Sequence, residues 1–446
     1  MANEDLKQKS LYYHAHPRPG KLEISPSKPC QAQDDLSLAY TPGVATPCLE
    51  IHAHPEDVWK YTGRGNTVAV VSDGTAVLGL GNIGPEAGMP VMEGKAVLFK
   101  RFADINAVPL CLGNVFNEQG KTDPEKLIAA VRTLEPSFGG INLEDIGSPA
   151  CFAVEPALKK AMGIPVFHDD QHGTAIISLA GILNALRVVG KRIEDCRFVM
   201  NGAGAAGIAC AEYYVSAGAD RKKFLLCDSK GVIHAGRSDL SEQKKRFANE
   251  TDARTLADAI RGADVFVGVS VPNALTTEMV RTMAPGAVVF AMANPMPEIF
   301  PEDALAGGAA VVGTGRSDYC NQVNNVLGFP GIFRGALDVR AKDIIEPMKL
   351  AASRALADIV AEPMPQDVRK TLELAYPNEA KSGVFDGEIP LKSTFVIPKP
   401  FDSRVVPRIA RYVAEAAMKH GVAQIMIDDL DAYEKSVAER IAANQK

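Results

Sequence analysis

The residues with the most chemical meaning are a ten-residue stretch, Phe198-Val-Met-Asn-Gly-Ala-Gly-Ala-Ala-Gly207, and two acidic pairs upstream of it, Glu144-Asp145 and Asp169-Asp170. The stretch reads as an apolar strand entering the turn Gly202-Ala203-Gly204-Ala205-Ala206-Gly207 and then a helix. Glycines at that spacing allow a tight turn and seat a pyrophosphate on the free N–H groups of the helix start. Each acidic pair closes a short apolar run, so both are expected at carboxyl ends of strands, where ligands bind in an open α/β sheet. Carboxylates gathered there form a hard, oxygen-rich site suited to Mg²⁺ or Mn²⁺ rather than zinc. Taken singly, each pair also suits a helix N-terminus. Together with a nucleotide turn they point to hydride transfer on a substrate gripped by a metal.

A second G-x-G-x-x-G match, Gly79-Leu-Gly-Asn-Ile-Gly84, is followed by Pro85, Gly88 and Pro90, and reads as a strand-end turn rather than a dinucleotide site. After the Gly202–Gly207 turn, the next strand ends in Asp228, near the distance expected for a ribose contact, which suggests NAD. Lys230, His234 and Arg237 follow closely and suit a 2′-phosphate, which suggests NADP. Lys95 stands at the edge of an apolar helical segment, where a lysine either snorkels or is desolvated into a base. Tyr40 precedes the turn Thr41-Pro-Gly43, and packing is the commoner role for such a tyrosine.

These groups need a scaffold. A chain of 446 residues exceeds one ordinary core. The rhythm of strands and helices from residue 67 onward predicts an α/β protein: an N-terminal α/β substrate domain over 31–170, a Rossmann-type doubly wound parallel-sheet domain over 171–335, and a helical region over 336–446. Residues 1–30, rich in proline, lysine and histidine, read as an extended arm. Asp73-Gly74, between apolar runs, predicts a hairpin. Asp123-Pro124 predicts a helix start, and Gly190 the end of a long apolar helix.

The net charge of −6 offers no basic field for nucleic acid or anionic lipid. The eight cysteines include no C-x-x-C pair and read as free thiols in a reducing compartment. With no apolar leader and no run of membrane-spanning length, the expected location is cytoplasmic.

At this point the residues resemble a family, the malic enzymes. The resemblance rests on Tyr40-Thr-Pro-Gly-Val44, Gly79–Gly84, Gly94-Lys95, Asn142-Leu-Glu-Asp-Ile146, Asp169-Asp170 with Gly173-Thr174, Gly202–Gly207, Asn294-Pro295 and Asn324-Asn325, in the family's order. The opening Tyr13-His-Ala-His-Pro-Arg-Pro-Gly-Lys21 resembles the bacterial branch, and in particular the malic-enzyme half of hybrid proteins with a C-terminal phosphotransacetylase-like domain. This chain is too short to include that domain, so a standalone short form or a shortened chain is expected.

The resemblance implies oxidative decarboxylation of malate to pyruvate with NADP, NAD being the alternative, and Mg²⁺ or Mn²⁺. It implies Tyr40 as general acid and Lys95 as general base, with Lys95 also touching substrate. Glu144, Asp145 and Asp170 would be metal ligands, with Asp169 beside them. Asn294 would lie by the nicotinamide and Asn325 on the substrate. A homodimer or higher oligomer is implied as well. Larger members carry an arginine after the Asp-Gly turn that grips a malate carboxylate; here Thr75-Ala76 follows Asp73-Gly74, so other groups must do this. Two further readings remain: a 2-hydroxy-acid or amino-acid dehydrogenase that does not decarboxylate, and a nucleotide-binding regulatory module without catalysis.

Overall fold

The structure, a computed structural model, describes residues 2–77 and 80–444. It divides into two compact units that part after Val166; residues 340–343 return to the first.

The chain opens with helix α1 (Ala2–Ala15), not with an extended arm. Its residues are good helix formers, and Lys9 pairs with Asp5 one turn earlier at 2.7 Å. The prolines that suggest extension begin only at Pro17, beyond the helix. Two short helices follow, α2 (Gln33–Ala39) and α3 (Ala45–Ala53).

A four-stranded sheet is built on β1 (Thr67–Ser72), β2 (Asn106–Cys111), β3 (Gly140–Leu143) and β4 (Val166–His168), in the order β2-β1-β3-β4, with the boundary between the units falling within β4. β1 runs parallel to both neighbours, with Val68 opposite Ala107 and Gly140. This replaces the hairpin expected at Asp73-Gly74. Val68 to Val71 are buried without exception, the mark of a central parallel strand covered on both faces. The chain therefore crosses over through helix α4 (Pro85–Ala103) instead of folding back. Gly74 still turns the chain, at φ 71°, and a side chain there would meet the Gly84 carbonyl. Gly79, which opens the first glycine match, lies outside the described residues, as does Leu78 before it.

Helices α5 (Pro124–Arg132) and α6 (Ala150–Ala161) complete the unit, packing Leu127, Val131, Val154 and Leu158 against Ala69, Ile141 and Leu143. Asp123 caps α5 as expected, accepting from the Glu125 and Lys126 N–H groups ahead of Pro124.

In the second unit, β5 (Phe198–Asn201), β6 (Phe224–Asp228), β7 (Gly231–Val232), β8 (Val265–Gly268), β9 (Val288–Ala291) and β10 (Val311–Thr314) form a sheet in the order β10-β9-β8-β5-β6-β7. All pairings are parallel except that of the two-residue β7. Strand order reverses between β5 and β8, the switch point at which an open α/β sheet leaves a crevice for its ligand. Helix α7 (Asp169–Val189) is long and apolar enough, by composition, to cross a membrane, contrary to expectation; two-thirds of that stretch (67%) is buried, so it serves here as a core helix. It ends at Gly190 in the left-handed conformation, as expected. Helix α8 (Ala205–Ser216) leaves the glycine turn.

The end of the chain adds α9 (Phe329–Asp338), α10 (Glu346–Ala361), α11 (Val405–Lys419) and α12 (Leu430–Ala443). The charged final stretch is docked: Arg408 and Arg411 of α11 both pair with Glu434, and the Tyr433 hydroxyl donates to Asp338.

Candidate active site

In the first unit, the ends of β1 and β3 and one face of α4 carry the polar residues. Lys95 sits in α4, only 9% exposed. Its Nζ lies 2.9 Å from Glu144 Oε1, and Asn142 Nδ2 donates to the other oxygen at 2.9 Å. Lys95 is therefore not a snorkelling lysine. Glu144 follows β3 directly, its N–H bonded to the Val71 carbonyl. The next residue, Asp145, is buried with φ 54°, a left-handed conformation unusual outside glycine. Backbone held there costs on the order of 1–3 kcal/mol and is found where the surroundings dictate it.

Those surroundings are visible. Buried Asp73 accepts from the Thr75 N–H and hydroxyl and from the Thr122 hydroxyl. Thr75 Oγ1 in turn accepts from the Gly147 N–H at 2.7 Å, and the Ala76 N–H donates to the Asp145 carbonyl at 3.0 Å. The Asp73-Gly-Thr-Ala76 loop thus holds the acid loop in position. Sequence reasoning saw the departure at Thr75 but not this role.

Tyr40, at the end of α2, is 70% exposed. The turn after it is closed by the Gly43 N–H on the Ser37 carbonyl and the Val44 N–H on the Tyr40 carbonyl.

In the second unit, Asp169 and Asp170 open α7, Asp169 buried and Asp170 exposed. Asn325 packs beside them: Thr174 Oγ1 lies 3.4 Å from Asn325 Oδ1, and a side chain at Gly173 would collide with both Asn325 and Asp169. Asn294 lies in the loop after β9, exposed. That loop is tied to the one after β8 by Glu298, a fully buried carboxylate that accepts from the Ser270 and Ala293 N–H groups. Asn201, at the end of β5, donates to Ser270 as well. Glu298 was not singled out from the sequence, since its partner Ser270 lies 28 residues away and no local pattern marks it.

The three glycines of the turn divide their work. A side chain on Gly202 would meet the Val269 carbonyl, and one on Gly207 would come within 1.7 Å of the Gly202 carbonyl. Gly204, at the N-cap of α8, faces open space. Two glycines are thus required by the fold itself, and the third keeps the helix start clear, an arrangement that fits a pyrophosphate.

Asp228 is fully engaged. Arg237 reaches both its oxygens, at 2.8 and 3.1 Å, Lys244 donates at 2.7 Å, and the Lys230 N–H at 3.0 Å. Burial alone would raise its pKa, but the bonds from Arg237 and Lys244 outweigh it and bring the carboxyl down to about 2. Arg237 was noted in the sequence; Lys244, sixteen residues beyond Asp228, was not.

Known proteins resemble this chain over most of its length. A family signature described as the N-terminal domain of malic enzyme matches residues 19–159, and one described as its NAD binding domain matches residues 171–375. An NADP-dependent malic enzyme from Haemophilus influenzae is 53% identical over 434 residues, covering 96% of this chain but 55% of that protein. The chain thus spans about half the length of several curated relatives. One from Halomonas elongata, also 53% identical, is covered over 95% of its length and 94% of this chain. The crystal structure of a malic enzyme from Pyrococcus horikoshii, 41% identical, superposes with a TM-score of 0.86 over 99% of this chain and 96% of that one. With both signatures matched in order and a relative covered over 95% of its length, this chain belongs to the malic enzyme family.

Proposed function

We infer that the chain oxidatively decarboxylates malate to pyruvate and CO₂, reducing NADP and requiring a divalent cation. The observation that carries this reading is the buried Lys95–Glu144 pair, a candidate base in contact with a candidate metal ligand. The donor set fits a hard divalent ion. Glu144, Asp145 and Asp170 can each offer a carboxylate oxygen within 4.8 Å of the others, and the strands they follow are neighbours in one sheet.

When bound, the ion supplies an electrophile at the C2 oxygen and the nicotinamide an acceptor for the hydrogen leaving C2. Lys95 takes the C2 hydroxyl proton, and Glu144 holds its amine in place. Tyr40 gives a proton to C3 once CO₂ has left. Asn325, beside Gly173 and Thr174, orients the substrate. Asn294 stands by the nicotinamide, on a loop fixed by Glu298. The test is to follow CO₂ and NADPH together from malate. Equal yields support the reading, and NADPH without CO₂ favours a plain hydroxy-acid dehydrogenase. EDTA is expected to lower the rate at least ~100-fold, with Mn²⁺ or Mg²⁺ restoring it; full activity in chelator overturns the metal.

For the cofactor we favour NADP. Asp228, already satisfied by Arg237 and Lys244, serves less as a ribose acceptor than as an anchor for two cations that suit a 2′-phosphate. Its carboxyl stays charged across any working pH, since it must lose its partners before protonating near pH 2. A charge-assisted contact is worth ~1.5–3 kcal/mol, so Lys244→Ala should raise the KM for NADP at least ~10-fold. The KM for NAD should stay within about twofold, because NAD presents no phosphate there. Equal losses with both nucleotides would place the 2′-phosphate elsewhere.

A further inference from the structure

We propose that Arg316 recognises a carboxylate of the substrate, gripping the end of malate that lies away from the metal. This rests on the reading above, in which malate is the substrate, and it makes the site selective for a dicarboxylate.

Malate carries a carboxylate at each end, and taking an unpaired anion out of water is costly. One carboxylate can join the C2 oxygen on a divalent ion. The other needs a cation of its own. Lys95 acts as a base only when uncharged, and Asn294 and Asn325 carry no charge. In the second unit, ligands gather at the carboxyl ends of the strands. The loops that leave β5, β8, β9 and β10 there span 202–204, 269–276, 292–300 and 315–325, and Arg316 is their one lysine or arginine. The cations after β6 are held on Asp228 and Asp239.

The fold brings Arg316 to the other proposed substrate groups. It stands near the start of the loop after β10, and Asn325 near its end. That loop is drawn back onto its strand: the Thr314 N–H donates to the Asn321 carbonyl at 3.1 Å, and the Thr314 carbonyl accepts from the Val323 N–H at 2.7 Å. Both ends of the loop therefore lie at one strand end. The neighbouring β9 loop is as close. A side chain on Gly315 would come within 3.2 Å of the Asn294 amide, and Arg316 Nη1 lies 3.5 Å from the Pro295 carbonyl.

The guanidinium is held but not saturated. Asp318 takes Nε at 2.9 Å and Nη2 at 2.6 Å. Its Cζ lies 5.7 Å from the Phe300 ring and 5.8 Å from that of Tyr319, whose hydroxyl is tied to Glu302 at 3.0 Å. Both protons of Nη1 and the second of Nη2 are left, with the long Pro295 contact their one partner among the described residues. They form the outer fork of the guanidinium, the geometry that receives a carboxylate through two parallel bonds. A cation oriented in advance loses little freedom when it binds.

The experiment is titration calorimetry on the complex with NADPH and Mn²⁺, in which malate binds but cannot be oxidised. Arg316→Ala is expected to weaken malate binding ~10–100-fold, as for loss of a charge-assisted bond. Oxalate is the control: it can chelate the ion but has no further carbon to bear a distant carboxylate. Its affinity, and that of NADPH, should stay within about twofold of wild type. Unchanged malate affinity would overturn the proposal. So would equal losses for malate and oxalate, which would place Arg316 at the metal end or in the fold alone. An equal loss for NADPH would overturn it by placing Arg316 on the nucleotide. Wild-type protein that turns over no malate with NADP would instead sink the reading on which the proposal rests.

Discussion

Lys95→Ala is expected to lower kcat for malate oxidation about 10³-fold, within the range lost with a positioned general base. The effect should lie in the chemistry, not in the metal. Lys95 Nζ holds Glu144 at 2.9 Å and so competes with a cation for that carboxylate. Removing it should leave Mn²⁺ affinity unchanged or tighter, measured by titration calorimetry. Loss of a buried partner also destabilises, so a second variant is needed. Lys95→Arg keeps the positive charge beside Glu144, but a guanidinium does not give up its proton. It should be as inactive as the alanine variant. Oxaloacetate already carries the C2 ketone, so its metal-dependent decarboxylation needs no base at the C2 oxygen and should fall far less. Turnover of malate above about a tenth of wild type in Lys95→Arg would show that this position supplies charge alone, against the proton-transfer role.

The parts of this site that could be read from sequence are those whose local pattern states a steric or capping need. Gly202 and Gly207 are demanded by contacts with Val269 and with each other, and Asp123-Pro124 and Gly190 by helix ends. These needs are met within a few residues, so spacing reveals them. The hairpin at Asp73-Gly74 failed for the converse reason. A turn dipeptide says that the chain bends, whereas the continuous burial of Val68 to Val71 decides where it goes. Glu298, in its bond to Ser270, Lys244 and the Thr75–Gly147 bond were invisible because each acts on a partner far along the chain. Lys95 was visible as a residue but not as a buried one, since its place in an apolar helix is compatible with either state. The N-terminal helix was obscured by prolines that begin just after it.

The glycine turn supplies the second large effect, and its members separate folding from binding. Gly207→Ala would put a methyl 1.7 Å from the Gly202 carbonyl, both being backbone-anchored, so β5, the turn and α8 must move apart. Overpacking of this kind costs ~1–3 kcal/mol, which should appear as a lowered Tm together with lost NADPH binding. Gly204→Ala is the informative contrast. Gly204 has φ −76° and ψ −172°, open to alanine, and a methyl there touches nothing of the protein within 4 Å. Its Tm should therefore match wild type. If the pyrophosphate lies on the start of α8, that same methyl occupies the ligand's space, and NADPH affinity by fluorescence titration should fall ~10-fold or more, the cost of about 1.4 kcal/mol. A stable Gly204→Ala protein with unchanged affinity would mean that the phosphates do not rest on this helix, and the nucleotide would have to be sought elsewhere along the crevice between β5 and β8.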